Sequence, residues 1–129
     1  MKQTTPHFTI DSKMIRENPL IAELRLRGRF DAEGLPLVLT EIEDVRAAGC
    51  TRFLIDLEEI DFIGSAGIGI FLSLVEEMQT DGGGVAFLSV PASVRRILDV
   101  LNVREFLEIV GDRNEALHHL LHGEGQPSA

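Results

Sequence analysis

The residues best placed to do chemistry lie in Asp61-Phe62-Ile63-Gly64-Ser65-Ala66-Gly67-Ile68-Gly69. Three glycines within six residues remove side chains where a backbone must turn tightly or be approached closely. The segment joins an apolar run of strand length to one of helical period, so Ser65 is expected to cap the helix. Its hydroxyl would accept a hydrogen bond from an N–H of the first turn. Unpaired N–H groups and the positive end of the helix dipole also favour an anion there. A phosphate on Ser65 would be tolerated locally while adding about −1.5 to −2 charge. A partner packed on the loop would meet that charge as repulsion and as a desolvation cost.

Enzyme motifs that the glycine run could imitate fail in detail. A nucleophile elbow requires glycine two residues before the serine, where this chain has Ile63. Gly64, Gly67 and Gly69 reverse the spacing of the dinucleotide fingerprint, and no lysine follows them as in a phosphate-binding loop. Of the histidines, His7 falls in an N-terminal end expected to be mobile. His118, His119 and His122 cluster near the end of the chain, where they suit the C-terminal end of a helix dipole. His118 and His122, four apart, could grip a metal only with a third ligand. Glu58-Glu59, Glu76-Glu77 and Glu41 with Glu43 and Asp44 read as solvated faces. Ser65 as a nucleophile would need a base, and the central region contains no histidine. No catalytic residue, cofactor or metal is expected.

The composition narrows the class further. The chain has 129 residues and a net charge of −9, with 12 Lys plus Arg against 21 Asp plus Glu, which disfavours binding to nucleic acid phosphates. A lone cysteine, Cys50, cannot form an internal disulfide, so a reducing cytoplasm is the expected compartment. The longest uncharged run near the apolar centre, 62–75, is shorter than the roughly 20 residues of a membrane span, and residues 1–7 lack the apolar core of a signal peptide. Without Trp or Tyr, seven Phe are the only aromatic residues.

The elements that must position Ser65 follow from periodicity. Strands are predicted at 8–10 and 20–27, the second with Ala22, Leu24 and Leu26 on one face and Arg25, Arg27 and Arg29 on a wet one. After a loop at 28–34, Leu35, Val38, Ile42 and Val45 recur at helical spacing up to Gly49. Residues 53–57 read as a central strand covered on both faces, followed by a loop through Ile63 and a helix over 68–79. A turn at 81–84 leads to a strand at 85–88. A helix starting near Pro91 carries Val94, Ile97, Leu98 and Leu101. A strand at 106–110 precedes a last helix with Asp112 as N-cap and Leu117, Leu120 and Leu121 buried. This β-β-α-β-α-β-α-β-α order predicts one α/β domain over 1–122, with a mixed sheet of about five strands and about four helices. Residues 123–129 show no apolar periodicity and are expected to be disordered.

With these elements in place, residues 8–121 resemble the anti-sigma-factor antagonists, the single-domain members of the STAS family. Gly28-Arg29-Phe30-Asp31 is similar to the Gly-x-[Leu/Phe]-Asp after that family's early strand, and residues 53–63 to its central strand and the approach to its switch loop. Gly64-Ser65-Ala66-Gly67-Ile68-Gly69 resembles Asp-Ser-[Ser/Thr]-Gly-[Leu/Ile]-Gly, with Gly64 replacing the acid and Ala66 the second hydroxyl. Residues 91–103 are similar to the family's penultimate helix and the turn after it. The resemblance implies a non-enzymatic switch that binds an anti-sigma factor, often a serine kinase, and so frees a sigma factor. It implies that phosphorylation of Ser65 breaks the complex and that a metal-dependent serine phosphatase restores it. Asp31, Phe30, Phe62, Gly64, Ser65, Ala66, Gly67 and Ile68 are the implied partner surface. The alternative within the family is a scaffold subunit of a sensory complex or of a lipid-transport ATPase, with Ser65 merely a cap.

Overall fold

The computed structural model describes residues 2–17 and 19–122. The residues expected to form a disordered tail, 123–129, lie outside the described residues. Six strands, β1 (Lys2–Thr5), β2 (Phe8–Glu17), β3 (Leu20–Phe30), β4 (Arg52–Ile63), β5 (Gly84–Leu88) and β6 (Glu108–Val110), form one sheet in chain order. β1, β2 and β3 pair antiparallel, whereas β3 to β6 pair parallel. The helices are α1 (Leu35–Ala47), α2 (Ser65–Thr80), α3 (Ala92–Val100) and α4 (Arg113–His122), with a 3-10 turn at Arg104–Phe106.

Strand parity assigns the helices to two faces. Phe53, Ile55, Val85 and Phe87 pack with Val38, Phe71, Met78 and Val94 of α1, α2 and α3. The intervening Leu54, Ala86 and Leu88 pack with Ala116 and Leu120 of α4. The parallel centre is therefore apolar on both faces, as its near-continuous hydrophobic run predicts. Asp112 caps α4, its carboxylate accepting the Glu115 N–H at 2.8 Å.

The structure departs from the sequence expectations where pairing outweighs local pattern. The sixth strand, β1, is polar at the sheet edge, and Gln3 donates to the buried carboxylate of Glu41 at 2.8 Å. His7 lies in the turn between β1 and β2, its carbonyl accepting the Arg29 N–H at 2.8 Å, and not in a mobile end. β3 continues to Phe30 and β4 to Ile63 through parallel pairs such as Arg29 with Phe62, so the expected loops at 28–34 and up to Ile63 are much shorter. Gly28, at φ +88°, sits where the pairing of β3 with β4 shifts register. The last strand is shorter than expected because residues 104–106 coil into the 3-10 turn.

The other face of β3 is not wholly wet. Glu23 lies on it at 1 % exposure, and Arg113 of α4 reaches both its carboxylate oxygens at 2.7 Å. Arg25 and Lys13 each come within 3.7 Å of the same carboxylate.

Candidate functional site

The ends of β3 and β4 emerge side by side and are tied by one backbone bond. The Gly64 N–H donates to the Phe30 carbonyl at 3.0 Å. That bond places the loop beginning at Asp31 against the start of α2. Within the Asp31 loop, the side chain accepts the Glu33 N–H at 3.1 Å and the backbone carbonyl accepts the Gly34 N–H at 3.0 Å, a compact Asx turn.

Gly64, and not Ser65, is the N-cap of α2, with extended backbone at φ −82° and ψ 164°. Its carbonyl accepts the first intrahelical bond, from the Ile68 N–H at 3.2 Å. Ser65 is the first helical residue, exposed, and makes no capping hydrogen bond, which corrects its expected capping role. The N–H groups of Ser65, Ala66 and Gly67 precede that first bond, and no acidic side chain occupies the first turn. The site thus combines an exposed hydroxyl with the positive end of a helix whose first turn carries no acidic side chain.

The sequence-predicted residues divide into a surface and a support. Ser65 and Ala66 are exposed, while Asp31, Phe62 and Gly64 are partly exposed. Phe30 is 0 % and Ile68 2 % exposed, and Gly67 is buried, so these three of the implied partner residues lie beneath the exposed surface of the loop. They hold the loop from beneath. The Phe30 ring stacks on Phe8 at 5.2 Å between centroids and tilts against Phe71 at 5.7 Å. A Cβ on Gly67 would stand 2.9 Å from the Phe30 ring, so only glycine lets the first turn of α2 settle onto it.

One contributor was missed at the sequence level. The Arg29 guanidinium lies over the Phe62 ring, 4.3 Å from its centroid, a cation–π contact at the edge of the loop. Its signal was the position of the two residues one step before the ends of neighbouring strands.

Among the described residues, no group of three or more His, Cys, Asp or Glu side chains is arranged to hold a metal. The His118 and His122 rings lie 4.8 Å apart and tilted on α4, across the sheet from α2. No helix among the described residues is long and apolar enough to cross a membrane.

Comparison with known proteins places this geometry in context. Residues 12–116 match the family model of the STAS domain. The anti-sigma F factor antagonist of Paenibacillus polymyxa is 24% identical over 98 residues, covering 75% of this chain and 84% of that protein. An anti-sigma factor antagonist from Mycobacterium paratuberculosis superposes with a TM-score of 0.77 at 18% identity, covering 92% of this chain and 99% of that one. The antagonist SpoIIAA resembles the chain in its unphosphorylated form, with a TM-score of 0.73 at 18% identity over 87% of this chain and 96% of that one. The phosphorylated form of SpoIIAA, from Bacillus, gives 0.66 at 18% identity, over 85% of this chain and 97% of that one.

Proposed function

The chain belongs to the STAS-domain family, and from that membership we propose that it is an anti-sigma factor antagonist, a non-enzymatic binding switch acting in the cytoplasm. It docks an anti-sigma factor with serine kinase activity through Ser65, Ala66, Gly64, Asp31 and Phe62. The observation that carries this reading is the exposed Ser65 hydroxyl at the start of a 16-residue helix with no acid in its first turn.

Phosphate at Ser65 gains from the free N–H groups and the helix dipole, so the free protein accepts the modification readily. The same phosphate projects from the docking surface, where a closely packed partner must desolvate it. The cost falls on the complex and not on the fold. Gly64 strengthens the asymmetry, because an aspartate there would repel the phosphate and cap the helix itself. A serine phosphatase then resets the switch. The names of the Paenibacillus relative and of SpoIIAA, known in phosphorylated and unphosphorylated forms, support this reading.

Intact-mass measurement after incubation with the cognate kinase and ATP tests the acceptor. One added phosphoryl group on the wild-type chain and none on Ser65→Ala is expected. No modification, or modification that survives Ser65→Ala, contradicts it. Partner binding that persists unchanged in Ser65→Asp would instead make the chain a constitutive scaffold.

A further inference from the structure

A groove of about 470 Å³ runs between the second half of α2 and the 3-10 turn, walled by Leu72, Val75, Glu76, Gln79, Glu105 and Phe106. Phe106 is 60 % exposed, whereas Phe8, Phe30, Phe53, Phe71 and Phe87 are buried. Val100, Leu101 and Phe106 are three of the five large apolar side chains that stand exposed among the described residues, and they fall within one short stretch of chain.

This exposure is built in by the backbone. α3 ends in a two-bond reversal, Val103 N–H to Leu98 O and Asn102 N–H to Asp99 O, each at 3.1 Å, with Asn102 at φ +58° in the left-handed region. The Phe106 N–H then donates to the Val103 carbonyl at 3.0 Å. A ring presented on so defined a turn, beside a groove with the side chain of Val75 within it, is apolar surface that association would cover.

Charge selects the occupant. Glu76 stands on one wall and Glu105 on the other, and no basic side chain lines the groove. Neighbouring Arg104 is paired with Asp99 at 3.4 Å. A second copy would set this acidic rim against another chain of net charge −9, and residues 123–129 contain a glutamate but no Lys or Arg. We propose that the groove is a second docking surface, for an amphipathic segment of a protein partner whose apolar ridge is flanked by Lys or Arg. Leu72, the groove residue nearest Ser65 on α2, lies seven residues beyond it, about 10 Å or two turns along the helix axis, so the groove is separate from the Ser65 surface and the inference does not rest on the phosphorylation reading.

The test titrates the full chain into a synthetic amphipathic helix of about 18 residues with Lys flanks and one Trp on its apolar ridge. Because the chain has no Trp, the peptide carries the only indole signal. Saturable binding with a blue shift is expected, weakened about tenfold or more by Phe106→Ala and by the pair Glu76→Lys with Glu105→Lys. Ser65→Asp, and the equal-charge control Glu17→Lys with Glu43→Lys, should leave it unchanged. Circular dichroism and melting of each variant establish that it folds, and Phe106→Leu should retain most binding. Absence of binding, equal binding of a Glu-flanked peptide, equal loss in the charge control, or insensitivity to the groove substitutions would overturn the inference.

Discussion

The amide of Gly64 is bonded to the carbonyl of Phe30 at 3.0 Å, so the residue before Ser65 is fixed to the residue before Asp31. Two segments separated by more than thirty residues of chain thereby become one surface. The buried Phe30 ring, wedged between Phe8 and Phe71, sets the height at which α2 begins.

Two glycines of α2 should respond oppositely to alanine. At Gly67 the new methyl meets the Phe30 ring at 2.9 Å and Ile63 at 3.2 Å. Overpacking of about 1–3 kcal/mol exceeds the gain of up to about 1 kcal/mol in helix propensity, so Gly67→Ala should lower stability and weaken partner binding. Exposed Gly69 has nothing within 4 Å of an added Cβ, so Gly69→Ala should raise stability by about 0.5–1 kcal/mol. Urea midpoints followed by circular dichroism distinguish the signs.

Arg113→Met should loosen α4, because it leaves the buried Glu23 carboxylate with only Arg25 and Lys13, each 3.7 Å away. Loss of a buried pair costs about 3–5 kcal/mol, but Arg113 is 40 % exposed and two cations remain, so about 2 kcal/mol at pH 7 is expected. The Arg113 hydrogen bonds hold the Glu23 carboxyl below its ordinary value of 4.5, against the opposing effect of burial. The pair's stabilisation is therefore complete above that ordinary value and is lost as pH falls through the lower folded-state value. The stability gap between wild type and Arg113→Met should stay constant down to the ordinary value of 4.5 and narrow below it, as denaturation at pH 7 and at a pH well under 4.5 would show. A gap that widens contradicts the assignment.

Cys50 should be unreactive in the folded chain. Burial pushes its thiol above the ordinary 9.0, an effect that hydrogen bonding to the backbone of Arg52 only partly offsets. An aromatic disulfide reagent should label it slowly in buffer and rapidly in denaturant. Fast labelling in buffer would show that the segment between α1 and β4 opens readily.

Much of this was legible in the sequence. The alternation of Ala22, Leu24 and Leu26 marked the buried face of β3, and the unbroken apolar run at 53–57 marked a strand covered on both sides. What escaped depended on distant partners. Nothing in Lys2-Gln3-Thr4-Thr5 reads as a strand, because its contribution is pairing to β2 and one bond to Glu41. Glu23 looked like a wet position because Arg113 lies ninety residues away in the chain. Phe30 looked like a docking residue because its burial depends on glycine at 34 and 67, whose missing side chains make room for the ring.

The same reasoning limits how the switch can act. A phosphate of the sign already in excess on a chain of charge −9 changes the overall field little, so its effect should be a local clash. Moderate salt, which shortens electrostatic range to about 8–10 Å, should reduce the discrimination between free and phosphorylated chain only partly. Near-complete loss of discrimination would point to a long-range field instead.

The central claim is tested most directly by calorimetric titration of the anti-sigma factor with the wild-type chain, Ser65→Ala and the chain phosphorylated at Ser65. Wild type and Ser65→Ala should bind, and phosphorylation should weaken binding by at least about a hundredfold, or about 2.7 kcal/mol. Equal affinity of the phosphorylated and unmodified chains would contradict the account.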